Sequence, residues 1–270
     1  MRKLDATASG DVLRSALRLI AAVNLDDHEF DDVVRFGSQV QQENASLCER
    51  QLALAEDQTL QQAKQLSTDL LYHLKSVDPA LLFKGTDGTF HRIISIFAGQ
   101  SAAGRYDRHT NAIADIAAQL MRLEPSLLTL ENEMRSLRKR GDKISCSLEA
   151  HILAGRFIVS YIDEKVAQDP ALAAHYATQQ SALENRTSSL SASVASVPVA
   201  LKTLDILIDA VGKTRAFCDE MLRRDLPAWQ ASVATALAMQ SQQPDASIDV
   251  SEIERRYAQL LHSFLRKDLQ

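Results

Sequence analysis

From Ile113 onward, apolar side chains recur at alternating steps of three and four: Ile113, Ile116, Leu120, Leu123, Leu127, Leu130, Met134, Leu137, then Ile144 and Leu148. Glu, Arg, Ser and Lys fill most positions between them. A 3.5-residue period held over several heptads is the pattern of a helix packed along a seam against other helices. Gly141 falls on the seam and should leave a hole there, and Pro125 should kink the helix by removing one backbone hydrogen bond.

The same spacing returns after Asp169-Pro170. It runs from Tyr176 through Leu183, Leu190, Val197, Leu204, Val211, Cys218 and Leu226 to Trp229, Val233 and Leu237, with Arg215 on the seam. The register carries across Pro198 and Pro227, which therefore read as kinks rather than ends. An earlier run is less regular: Phe30, Val33, Gly37, Val40, Asn44, Leu47, Gln51, Leu54, then Leu66, Leu70, Leu74 and Val77. Polar Asn44 and Gln51 on that seam cost stability but can set register.

The predicted fold is all-α: an elongated antiparallel bundle of three long coiled-coil helices, with a short amphipathic helix at each terminus. The long helices are expected at about 27–77, 103–168 and 171–240 of a body covering 25–241. The N-terminal helix lies within 1–24, with Val12, Leu13, Ala16, Leu17 and Ile20 on one face. The C-terminal one lies in 242–270, with Ile253, Tyr257, Leu261 and Phe264. Composition agrees. Gly and Pro make up 15 of 270 residues, about 6% against an average near 12%, too few for the frequent turns of a sheet fold.

Charge and motifs narrow the function. A net charge of −5 argues against a general nucleic-acid binder. No stretch approaches the 18 or so apolar residues of a membrane span, and the N-terminus lacks a signal-peptide apolar core, so a cytoplasmic location is expected, with the inner membrane face as an alternative site. Cys48, Cys146 and Cys218 do not make a disulfide framework. There is no dinucleotide fingerprint, P-loop, nucleophile elbow or zinc-protease motif. No two histidines lie four apart, and no Glu precedes a His by three. The expectation is a protein with no enzymatic activity, no cofactor and no resident metal.

Three features remain as candidate sites. Phe90, Ile93, Ile94 and Phe97 form a short amphipathic stretch in the inter-helix segment 79–100. It would cap the bundle end or offer an apolar tip to a protein or membrane surface. Arg135, Arg138, Lys139, Arg140 and Lys143 are the densest cationic run, a solvated helix face or a contact for anions and acidic lipid. Cys146 follows that run on the outer face. As a thiol near positive charge it is the better candidate for thiol chemistry, whereas Cys218 falls in the core and Cys48 beside the seam.

Three stretches also carry a family resemblance: LLYHLKSVDPALLFKGTDGTFHRIISIF (70–97), LENEMRSLRKRGDKISCSLEAHILAGRFIVSYI (130–162) and LDILIDAVGKTRAFCDEMLRRDLPAWQASVATALAMQ (204–240). The last contains Leu226-Pro227-Ala228-Trp229, similar to an Ile-Pro-Leu-Trp-type motif. In this order they resemble the toxic anion resistance proteins, the TelA/KlaA-like tellurite resistance family. The resemblance implies a cytoplasmic bacterial protein of tellurite and stress tolerance; together with the seams and the missing catalytic motifs it leads to the expectation of a non-enzymatic protein acting through protein contacts along its helices. It implies no catalytic residues. A membrane-peripheral or scaffold role using the 90–97 tip is the alternative, and direct anion binding around Arg138 is a third reading.

Overall fold

The computed structural model describes residues 9–25, 31–79, 102–242 and 250–268. Every regular element among them is helical. In chain order these are α1 (Gly10–Ala22), α2 (Asp31–Val34), α3 (Ser38–Ala55), α4 (Gln58–Lys75) and α5 (Ala102–Gln168). A 3-10 turn (Pro170–Leu172) leads into α6 (Ala173–Glu220), a π-turn (Met221–Asp225) into α7 (Leu226–Gln242), and α8 (Ser251–Asp268) follows.

The expected single helix over 27–77 is instead three helices. Gly37 breaks it first, with φ of 70°, a left-handed conformation that glycine adopts without the steric cost of a Cβ. Asp57 breaks it again, its carboxylate accepting from Thr59 N at 2.8 Å as the N-cap of α4. The reason lies in the spacing. Leu54 is the last buried residue of α3 and Ala63 the first of α4, and a gap of nine residues does not fit alternating threes and fours. In α4 the buried line is Ala63, Ser67, Leu70 and Leu74, and it passes beside Leu66, which is half-buried. The Ser67 hydroxyl is satisfied by donating to Ala63 O at 2.7 Å.

The two later runs are helical where expected. α5 continues through Pro125 and α6 through Pro198. Pro227 is treated differently. It follows the π-turn, in which Leu226 N–H reaches back five residues to Met221 O. Proline has no N–H and its ring crowds the carbonyl four residues earlier, so a wider turn just before it relieves the clash. Leu237 is exposed; Ala236 takes the buried place. Leu17 of α1 is also exposed, leaving Val12 and Ala16 to bury that face.

The chain divides into two compact units. The first comprises Met1–Glu56 and Asn132–Ile208, so it holds α1 to α3 with the later part of α5 and the earlier part of α6. Its core includes Val40, Leu47, Met134, Ile144, Leu183 and Leu204. Contacts follow a consistent order: Arg138 Nε meets Asp205 at 2.9 Å, and Gln180 Nε2 meets Asp163 at 2.9 Å. Numbers rise on one helix as they fall on the other. Gly141 is not a hole. A Cβ there would collide with Leu201 Cδ2, so Leu201 already fills the space.

Gly155 is the stiffer approach, because a Cβ would collide with Thr187 Oγ1 and lie 3.3 Å from the Phe36 ring. Thr187 Cβ also lies only 3.6 Å from that point, so turning the hydroxyl away leaves the site crowded by Thr187 and Phe36. Gly155→Ala gains about 0.5–1 kcal/mol of helix propensity but overpacks this contact by about 1–3 kcal/mol. A net loss of about 1 kcal/mol in urea denaturation is the expected result. A gain would mean the two helices are further apart.

The second unit comprises Asp57–Glu131 and Asp209–Gln270. It is built around Leu70, Leu74, Ile113, Leu120, Trp229 and Leu260, all fully buried. α8 is held by its apolar face and by Tyr257, whose hydroxyl donates to Leu74 O at 3.1 Å. Burial, with Asp78 nearby, pushes that phenol up to about 12. Phe264 meets Phe217 edge to face, centroids 4.9 Å apart.

Candidate functional site

Phe90, Ile93, Ile94 and Phe97 lie outside the described residues, as does Phe30. The cationic run is placed in the first unit, within α5. Arg135, Lys139, Lys143 and Cys146 share a strip about 80° wide at 100° per residue, and all four are exposed or partly so. Arg140 is exposed but off that strip, and Arg138 is half-buried. Arg138 is occupied: it pairs with Asp142 on its own helix and with Asp205 on α6, and these carboxylates raise its pKa.

Cys146 borders a shallow hollow of about 340 Å³ together with Asp11, Ser15, Asp142, Lys143 and Ser147. Of the upstream cations only Lys143 lines it, and two carboxylates share the wall. The setting of this thiol is therefore mixed in charge, and each carboxylate already pairs with an arginine, Asp11 with Arg14 and Asp142 with Arg138. Cys48 is exposed and Cys218 buried, as their seam positions imply.

In the second unit an open groove of about 880 Å³ runs between the 213–225 segment and α8. Its cations are held by carboxylates: Lys213 by Asp209 at 2.9 Å, Arg224 by Asp225 at 2.8 Å and by Glu220, Arg255 by Glu252 at 2.7 Å. Arg255 and Arg256 together draw the Glu252 carboxyl down to about 2.

Two polar arrangements escaped the sequence reading. Glu131 of α5 is buried and accepts from Arg215 Nη1 of α6 at 2.5 Å. Arg215 lies on the seam, which signals a buried partner, but Glu131 lies one step past Leu130 and carries no such mark. Gly212 opposite leaves room for the carboxylate, with Oε1 3.8 Å from where a Cβ would sit. The second is a histidine pair. His73 of α4 and His109 of α5 place their Nδ1 atoms 2.9 Å apart, with ring centroids at 5.2 Å. His109 sits four residues before Ile113, on the backward extension of the seam, and that spacing could have marked it.

Burial first, then His73 and Arg108, lower the pKa of His109 below its ordinary 6.5. A folded value below the unfolded one means the fold favours neutral imidazole. That stability is present above pH 6.5 and is lost as pH falls through the lowered folded value. Denaturation midpoints should fall as pH drops from about 7 to about 5, and His109→Gln should flatten this slope. An unchanged slope would place the acid sensitivity elsewhere.

Among the described residues no helix is long and apolar enough to cross a membrane, and no cluster of three metal-ligating side chains occurs. No curated protein and no solved structure matches the chain. The family model described as toxic anion resistance protein (TelA) matches residues 19–263, which takes in both units and every helix from the end of α1 to most of α8. With nine-tenths of its length matched, the chain belongs to the TelA family of toxic anion resistance proteins.

Proposed function

We propose that this protein protects a bacterial cell from tellurite and related toxic oxyanions without catalysis, through contacts that partner proteins make along its helices. The observation that carries this reading is the TelA match over residues 19–263, since membership of that family supports a toxic-anion resistance role. In this reading the long runs pack as antiparallel coiled-coil helices, and the opposed numbering of the α5–α6 contacts supports that packing.

Partner contact has support in exposed apolar side chains. On α6, Val199 and Ile206 are 68% and 59% exposed and stand seven residues apart on one face. On α5, Met121 and Leu128 repeat that spacing. Single exposed apolar residues are ordinary, but a heptad-spaced pair on a long helix suits a partner helix. Direct anion capture is less well supported. Arg138, Lys213, Arg224 and Arg255 already hold carboxylates, so a free oxyanion would have to compete with tethered ones.

Survival of a host lacking the gene, on graded tellurite, tests the proposal. The intact gene should restore growth, and Val199→Asp/Ile206→Asp should fail to restore it while the purified variant keeps its melting temperature. Turnover of tellurite by the purified protein with NAD(P)H or thiols would overturn the non-enzymatic reading.

A further inference from the structure

The pair His73–His109 has a geometry that packing alone does not require. Two half-buried imidazoles from different helices of the second unit direct their Nδ1 atoms at one another across 2.9 Å. Their ring planes are inclined by 53°. At that separation one Nδ1 must carry a proton and the other must offer a lone pair. A metal ion can replace the shared proton if both protons reside on Nε2 and both rings turn their Nδ1 lone pairs toward one point beside the N···N line, about 1.5 Å from it.

The distance discriminates among ions. Imidazole binds divalent transition metals at about 2.0–2.1 Å, so two nitrogens at a right angle on one ion stand about 2.9 Å apart, whereas tetrahedral positions need about 3.3 Å. The spacing of 2.9 Å lets both nitrogens reach one ion at a right angle once the rings turn toward it, with no separation of the two helices. Cations with right-angled positions and a preference for nitrogen are Ni(II) and Cu(II). Partial exposure of both rings leaves the other positions to water. Arg108, the charged neighbour that depresses His109, opposes a dication and would set the affinity below that of a three-ligand site.

We propose that His73 and His109 form a two-histidine site for a divalent transition-metal ion of the Ni(II) or Cu(II) type, which cross-links α4 to α5. The inference is independent of the resistance role. Binding moves no electrons: two neutral imidazoles replace two waters on the ion, and any imidazolium proton present is released to solvent.

The test uses the full-length chain, freed of metal with a chelator and titrated with NiCl₂ at about pH 7.5, above the ordinary imidazole pKa of about 6.5. The melting temperature should rise with Ni(II) concentration, because the ion binds the folded unit and not the separated helices. The rise should vanish in His73→Ala and in His109→Ala and persist in His175→Ala, an exposed histidine of the other unit. If either variant fails to fold, proton NMR of the unaltered protein decides. Ni(II) should broaden the ring signals of His73 and His109 before those of His151, His175 and His262. An equal thermal shift in the His73 and His109 variants, no shift in the parent, or earlier broadening of another histidine would each overturn the site.

Discussion

Leu204→Asp should unfold the first unit. Leu204 is fully buried on α6, so the substitution removes a packed side chain and sets a carboxylate in its place. Loss of the leucine alone costs about 2–5 kcal/mol, and burying a charge without a partner adds more. A total of about 4 kcal/mol or more is comparable with the whole stability of an ordinary domain, about 5–15 kcal/mol. Urea denaturation followed by helical circular dichroism reads it directly. Val199→Asp, five residues earlier and 68% exposed, is the matched control and should stay within about 0.5 kcal/mol of the parent. Similar losses in both variants would mean the buried face of α6 is misassigned.

The second large effect concerns Arg215 and Glu131. Arg215→Met takes the guanidinium from a buried carboxylate and should destabilise the second unit by about 3 kcal/mol. The lower end of the usual range applies because Arg215 retains 28% exposure. The double replacement Glu131→Leu/Arg215→Met should recover most of that loss. A buried ion pair gives up hydration that its mutual attraction only partly returns, so an apolar pair of similar volume is often as stable. Additive losses in the double variant would show that the carboxylate and the guanidinium act separately rather than as a pair.

A charged pair on a mostly aliphatic seam can fix the register of the two helices. Seams of Leu and Ile tolerate slippage by a heptad, since each step offers the same chemistry. A charged pair is satisfied in one register only. Slipping α6 by seven residues against α5 would bring Ile208 or Leu222 opposite Glu131 in place of Arg215, leaving the carboxylate against an aliphatic side chain. In the first unit Gly141 with Leu201 and Gly155 with Thr187 add a steric version of the same restraint, because each glycine admits a particular side chain from the facing helix.

How much of this was readable in advance differs by feature. The buried line of α5 was legible almost residue for residue, from Ile113 to Leu148, with Leu123 half-buried as a lapse. A repeat of 3.5 leaves few other ways to exclude those side chains from water. The exposed cationic strip and the burial of Cys218 followed from the same register. The family was legible too, because it rests on order and local motif rather than on contacts.

The sequence by itself determined the helical character of the described residues, the course of the two later long runs and most of the faces they bury, since periodicity and the scarcity of Gly and Pro are local properties. Tertiary structure alone decided what meets across the helices: Leu201 in the space at Gly141, Arg215 on Glu131, His73 against His109, and two carboxylates beside Cys146. It also decided the division into two units and the breaks at Gly37 and Asp57. Those outcomes depend on which residues far apart in the chain come within a few ångströms, and helical period carries the direction a side chain faces but not the identity of what it faces.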